Sequence, residues 1–134
     1  MKYLVMMLLI LMLALSDIIT GFIKGYVTDR PRSQKMRIGG LHKIAEIVVM
    51  ATAVGLEIGI ETLGVYYDVS QFAGIVGNTT AFSVFTFIAI MEIVSILENY
   101  AEINPDAAWV RLVLKKIKRN HAKEVETDAK HSDD

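Results

Sequence analysis

The 134-residue chain has no cysteine at all. That excludes a disulfide framework, a cysteine-ligated zinc site and a thiol nucleophile. Net charge is nearly absent too: 14 Lys and Arg stand against 15 Asp and Glu, a formal charge of -1. Bulk charge therefore offers nothing to a nucleic acid, and no nucleic-acid partner is expected. Histidine is scarce. His42 falls in a basic segment and His121 and His131 in the tail, so no triad or metal spacing can be built from the three. Gly39-Gly40 lacks the preceding strand and the glycine spacing of a phosphate loop. No catalytic, metal-binding or cofactor-binding set emerges, so neither an enzyme nor a cofactor is expected. The length allows one domain at most.

Most telling is the absence of any Lys or Arg from Ile44 to Val110. Three long apolar runs occupy the chain before Asn104. Tyr3–Ile23 carries only Asp17, Ile44–Tyr67 only Glu46, Glu57 and Glu61, and Phe72–Leu97 only Glu92. Each exceeds the roughly 20 residues, at about 1.5 Å apiece, that cross a hydrocarbon core about 30 Å thick. The pattern predicts an all-α integral membrane protein with a single membrane domain over 1–119. Its spans are expected at about 3–27, 44–67 and 72–99, with Tyr66, Tyr67 and Phe72 at the tight turn between the last two. Cleavage of the first run as a signal peptide, after Ala14-Leu15-Ser16, is a competing reading. It would export a basic segment, which the charge pattern disfavours.

That segment, Asp29–Lys43, holds Arg30, Arg32, Lys35, Arg37 and Lys43 against one acid. A second basic cluster, Arg111, Lys115, Lys116, Lys118 and Arg119, follows the third run. Both belong on the cytoplasmic side, which gives three spans, N-out and C-in.

Glu46, Glu57 and Glu61 are spaced 11 and 4 positions apart, which places them within about 20° and 40° of one another on one helix face. Ala51, Gly55 and Gly59 form a small-residue ladder on the opposite face, suited to close packing in lipid; Gly21, Gly77 and Ala81 are packing candidates in the other runs. A charge at mid-bilayer costs at least about 2.5–3.5 kcal/mol. With no basic residue inside the second or third run, Glu57 and Glu61 are expected to face water or to be protonated, whereas Lys43 lies near Glu46. Two readings stay open: neutral interhelical hydrogen-bond formers, or the lining of a lumen shared by several copies. Asp17, Thr20 and Lys24 lie at one face of the first run, and Lys24 either pairs with another copy or snorkels to the interface. With Glu92 they complete the set of pore-lining candidates.

Asn104-Pro105-Asp106 has the composition of a helix start, predicting an amphipathic helix over 105–119. Trp109, Val110, Val113, Leu114 and Ile117 cover one side and the basic residues the other, which suits an anionic bilayer surface or a plain cytoplasmic anchor. The polar stretch 120–134 is expected to be disordered.

Three segments together resemble the phage lysis and toxin-secretion holin family. They are Asp17-Ile-Ile-Thr20-Gly21-Phe-Ile-Lys24, then Ser33-Gln-Lys35-Met-Arg37-Ile-Gly39-Gly40-Leu-His42-Lys43, and finally Glu92-Ile-Val-Ser95-Ile-Leu-Glu98-Asn99-Tyr100. The resemblance covers roughly Asp17 to Arg119. Where members often carry Gly-x-Pro-x-Pro after the last of these, this chain has Glu102-Ile-Asn104-Pro105-Asp106 and keeps one proline. The resemblance implies a homo-oligomer in the inner (cytoplasmic) membrane of a phage-infected bacterium. Such a protein opens lesions, depolarises the membrane and releases a phage endolysin, its functional partner, for lysis. An antiholin resembles such a protein and blocks it, and the residues do not separate the two. A small ion channel or transporter subunit, or a membrane adaptor, are the other classes compatible with the pattern. Lys2, on an N-terminus that must move outward, opposes an energised membrane. Met6 and Met7 are internal starts that would omit it.

Overall fold

A computed structural model describes residues 1–28 and 33–131, with side chains placed for 1–28 and 37–119. Among the described residues the chain is entirely helical. Four helices run in order: α1 (Lys2–Val27), α2 (Ser33–Tyr66), α3 (Ser70–Ile103) and α4 (Ala108–His131). Two of them, α1 and α3, are long and apolar enough to cross a membrane. At 34 residues, α2 measures about 51 Å and also has the length.

Local chemistry explains where the helices stop. Lys24 sits in the last turn of α1, a favourable place for a cation, and the Thr28 N–H closes the end on the Lys24 carbonyl. The basic segment after it is mostly not a loop. α2 is already helical at Ser33 and runs through Gly39 and Gly40 without a break, since each glycine weakens a helix by only about 1 kcal/mol. Between α2 and α3 the turn is a Schellman motif. The Val69 N–H bonds the Gly64 carbonyl at 2.8 Å and the Asp68 N–H bonds the Val65 carbonyl at 3.4 Å. Asp68 takes the left-handed position there, with φ of 58°. The hairpin it closes is so tight that a Cβ on Gly64 would lie 2.1 Å from the Ala73 Cβ.

Two boundaries expected from sequence are corrected. Asn104-Pro105-Asp106 does not begin α4; the Ala107 N–H bonds the Asn104 carbonyl at 3.2 Å, a turn with proline at its second position, and the helix starts at Ala108. At the other end α4 runs on to His131, through most of the stretch expected to be disordered. That stretch contains no glycine or proline to break a helix, and 122–130 carries two each of Ala, Lys and Glu, all good helix formers. Residues 132–134 of the expected tail lie outside the described residues.

Among the described residues α3 packs along both α1 and α2, while α1 and α2 touch over a slimmer surface and α4 meets only α3. The contacts fix the directions. Lys2, at the start of α1, reaches Glu57, Glu61 and Asn78, and Asp17, lower on α1, reaches Lys43 and Asn99. α2 therefore runs antiparallel to α1 and α3. One residue from each of α1, α2 and α3 forms the centre: Ile10, Met50 and Ile88, with Met6, Met7, Ile47, Val54, Val84, Phe85 and Ala89 packed around them. Small residues let α3 lie in the groove, with Ala73, Gly77 and Ala81 buried at four-residue intervals. Large apolar side chains such as Leu8, Ile19, Leu56, Phe82 and Phe87 point outward. A surface so apolar is unlike that of a soluble monomer and suits a lipid environment.

Candidate functional site

The chain gathers the carboxylates of its apolar runs in two polar layers above and below the apolar centre, with Glu57 and Glu92 fully buried. In the upper layer, nearer the N-terminus of α1 and the α2–α3 turn, Glu57 is 1% exposed. Lys2 Nζ donates to Glu57 Oε1 at 2.6 Å, to Asn78 Oδ1 at 2.7 Å and to Glu61 Oε1 at 3.5 Å. The Tyr3 hydroxyl donates to Glu57 Oε1 at 3.2 Å and to Glu61 Oε2 at 3.4 Å. Lys2 also stands 4.9 Å from the centre of the Tyr3 ring, within range of a cation–π attraction. Gly77 makes room for this layer, since a Cβ there would lie 3.2 Å from Glu57 Cγ and 3.3 Å from its carbonyl oxygen. Glu57 Oε2 is buried without a hydrogen-bond partner.

The lower layer gathers three carboxylates around one ammonium. Lys43 Nζ contacts both oxygens of Glu92 at 2.7 Å and Asp17 Oδ2 at 3.0 Å, and lies 3.7 Å from Glu46 Oε2. That last separation is an ion-pair distance rather than a hydrogen bond, and Glu46 Oε2 is otherwise unpartnered. Glu92 is completely buried. Asn99 ties the layer to its rim by donating to Asp17 Oδ1 at 2.9 Å and to the Thr20 hydroxyl at 3.4 Å. Lys24 then spans Asn99 Oδ1 at 3.3 Å and Glu102 at 2.7 Å. Along α2, Glu46 and Glu57 are 11 residues apart, so the two layers are separated by about 16 Å.

Several expectations need correcting. Glu57 and Glu61 are not left without a cation; antiparallel packing brings Lys2 to them. Within the single chain Lys24 reaches Asn99 and Glu102 rather than only snorkelling. Asp17 is likewise paired within the chain. The acidic face of α2 points into the bundle, and the small-residue ladder points away from it: Ala51 is exposed, and a Cβ on Gly55 or Gly59 would meet nothing within 4 Å. Gly21 does sit beside another helix, since a Cβ there would lie 3.7 Å from Asn99 Nδ2. Tyr3 and Asn78 carried no signal of their own in the sequence. Only the helix directions, unknown until the three helices are docked, bring Tyr3 to Glu57 and Asn78 to Lys2.

Of the basic residues, Arg30 and Arg32 lie outside the described residues, as does the side chain of Lys35. Arg37 is exposed at the start of α2, and Arg111, Lys115, Lys116 and Arg119 are exposed on α4. Lys118 pairs with Glu98 at 2.6 Å, and the Arg111 guanidinium bonds the Pro105 carbonyl. Ala107 and Val110 anchor α4 against the bundle while Trp109 is 58% exposed, its ring 6.3 Å from that of Tyr100. Among the described residues no cluster of His, Asp or Glu is arranged to hold a metal.

Comparison with known proteins gives one likeness. The family model described as the bacteriophage holin family matches residues 1–119. No curated protein and no solved structure matches the chain.

Proposed function

Since the chain belongs to the bacteriophage holin family, we propose that it is a non-enzymatic pore former that oligomerises in the host's inner membrane, depolarises it and releases an endolysin to the cell wall. α1, α2 and α3 are its three spans, with the N-terminus and the α2–α3 turn outside and the basic segments inside. One observation supports this beyond membership. The N-terminus of α1 and the α2–α3 turn share one end of the bundle, and Arg37 and α4 occupy the other, which is the arrangement the positive-inside rule demands of three passes. Trp109 and the exposed lysines of α4 then rest on anionic headgroups at the inner surface.

The two polar layers give a dispersed copy a way to wait. Each intramembrane carboxylate has a partner in its own chain, so a single copy presents mainly apolar side chains to lipid. Above a threshold density, copies associate through outward small residues, Ala51, Gly55 and Gly59 among them, and the acidic face turns to a shared lumen. Glu46, Glu57, Glu61, Glu92, Asp17, Thr20 and Lys24 are the residues proposed to reach it.

The test is inducible expression in a bacterium with a membrane-potential dye and a co-expressed endolysin that has no export signal. Abrupt depolarisation after a lag, with lysis only when the endolysin is present, is the expected result. Ion-selective depolarisation without endolysin escape would point instead to a channel, and no effect at all to an antiholin or an adaptor.

A further inference from the structure

The upper layer is closed by the first two residues of α1. Among the described residues Lys2 and Tyr3 supply every cross-helix polar contact that α1 makes in this layer; next below them α1 packs on the hairpin through apolar Met6, Met7 and Ile10, and its further polar contacts, from Asp17, Thr20 and Lys24, lie in the lower layer. The two sides of the ion pair are unequally placed. Lys2 is 47% exposed and can exchange its partners for water, whereas Glu57 is 1% exposed, with one oxygen already unpartnered. Opening the pair therefore strands a buried carboxylate rather than an ammonium. A carboxylate so stranded needs water or a new cation, and neither is available inside a single closed bundle.

Building on the holin reading, we propose that Lys2 and Tyr3 form a clasp that keeps the acidic face of α2 shut against α1 in the dispersed protein. Releasing the clasp turns Glu57 and Glu61 toward water shared between copies. Lys2 and Tyr3 are positioning residues in this scheme: they set when the carboxylates become available and form no part of the lumen wall. The role asks for a cation at position 2 that reaches Glu57, so arginine should serve and glutamine should not.

The chain's lack of cysteine makes the clasp measurable. Met6→Cys and Val54→Cys place one thiol on α1 and one on α2, both against the central cluster, and a short bismaleimide applied to native membranes reads how often the helices are together. Lys2→Gln is expected to raise the open-to-closed ratio about ten-fold, from the unpaired buried carboxylate it leaves, and to bring lysis forward in cells. Lys2→Arg should restore both readings, and so should the exchange Lys2→Glu with Glu57→Lys. Adding Glu57→Gln to Lys2→Gln should open the helices no further. Unchanged crosslinking in Lys2→Gln overturns the clasp, even if lysis comes early, because an N-terminal charge that merely resists outward movement would do that alone. If no variant depolarises cells, wild type included, the holin reading fails. The crosslinking ratio still decides separately whether Lys2 holds α1 to α2.

Discussion

Among the described residues Lys43 is the single cation facing Asp17, Glu46 and Glu92, so the consequence of losing it differs sharply from that of losing one acid. Lys43→Met leaves three carboxylates around no cation and is expected to destabilise the bundle by about 3–5 kcal/mol. Glu92→Gln leaves Lys43 paired with Asp17 and keeps a hydrogen-bonding group in place, for a loss of about 1–2 kcal/mol. Thermal unfolding of the purified protein in detergent would rank the two, and a Glu92→Gln variant weaker than Lys43→Met would contradict the layer as described. Glycine 77 is a second sensitive position. Gly77→Leu pushes against Glu57 and should cost about 1–3 kcal/mol through overpacking, whereas Gly55→Leu, facing open space in the single chain, should leave monomer stability nearly unchanged. At this scale the sequence was half legible. The carboxylates announce themselves because each interrupts an apolar run, and their shared helix face follows from spacing alone. Their partners do not, since Lys2 and Glu57 are 55 positions apart and nothing local connects them.

Among the elements, the α2–α3 turn and α4 make separate predictions. Asp68 occupies a left-handed position that glycine fills without strain, so Asp68→Gly should raise the melting temperature by an amount equivalent to about 0.5–1 kcal/mol. Asp68→Val should lower it, because a β-branched residue fits that conformation poorly. α4 is held to α3 by buried Val110 and by the Lys118–Glu98 pair. The exposed pair contributes about 0–1 kcal/mol, so burial of Val110 is the stronger link. Val110→Asp should detach α4, and the lone tryptophan reports it: Trp109 emission should shift, while the helical content of the other elements stays constant. Helix existence was readable from run length and from the polar four-residue turn. Helix ends were not. Ser33 and Ile103 lie well outside the apolar runs because helices continue into water for as long as nothing breaks them, and Asn104-Pro105-Asp106 serves equally well as a cap or as a turn.

At the level of the whole molecule, antiparallel order makes the topology testable with single cysteines added to a chain that has none. A membrane-impermeant maleimide should label Tyr67→Cys in intact spheroplasts and Lys115→Cys only after permeabilisation. Labelling of both from one side would refute the three-span arrangement. The bundle's order could be anticipated from charge asymmetry, because both basic clusters bracket the same pair of runs. Which face of α2 looks inward could not, since acidic and small-residue faces are both credible interfaces in lipid, and ion pairing across helices decided in favour of the acidic one.

The apolar zone of Ile10, Met50 and Ile88 between the two charged layers acts as a dielectric seal. An ion entering from either end meets a charged layer and then about 16 Å of hydrocarbon side chains, where its hydration has no substitute and the energy barrier is large. On the function proposed above, this seal would let a dispersed copy accumulate across an energised bilayer without short-circuiting it, and conduction would belong only to arrangements in which the zone no longer lies between the two compartments.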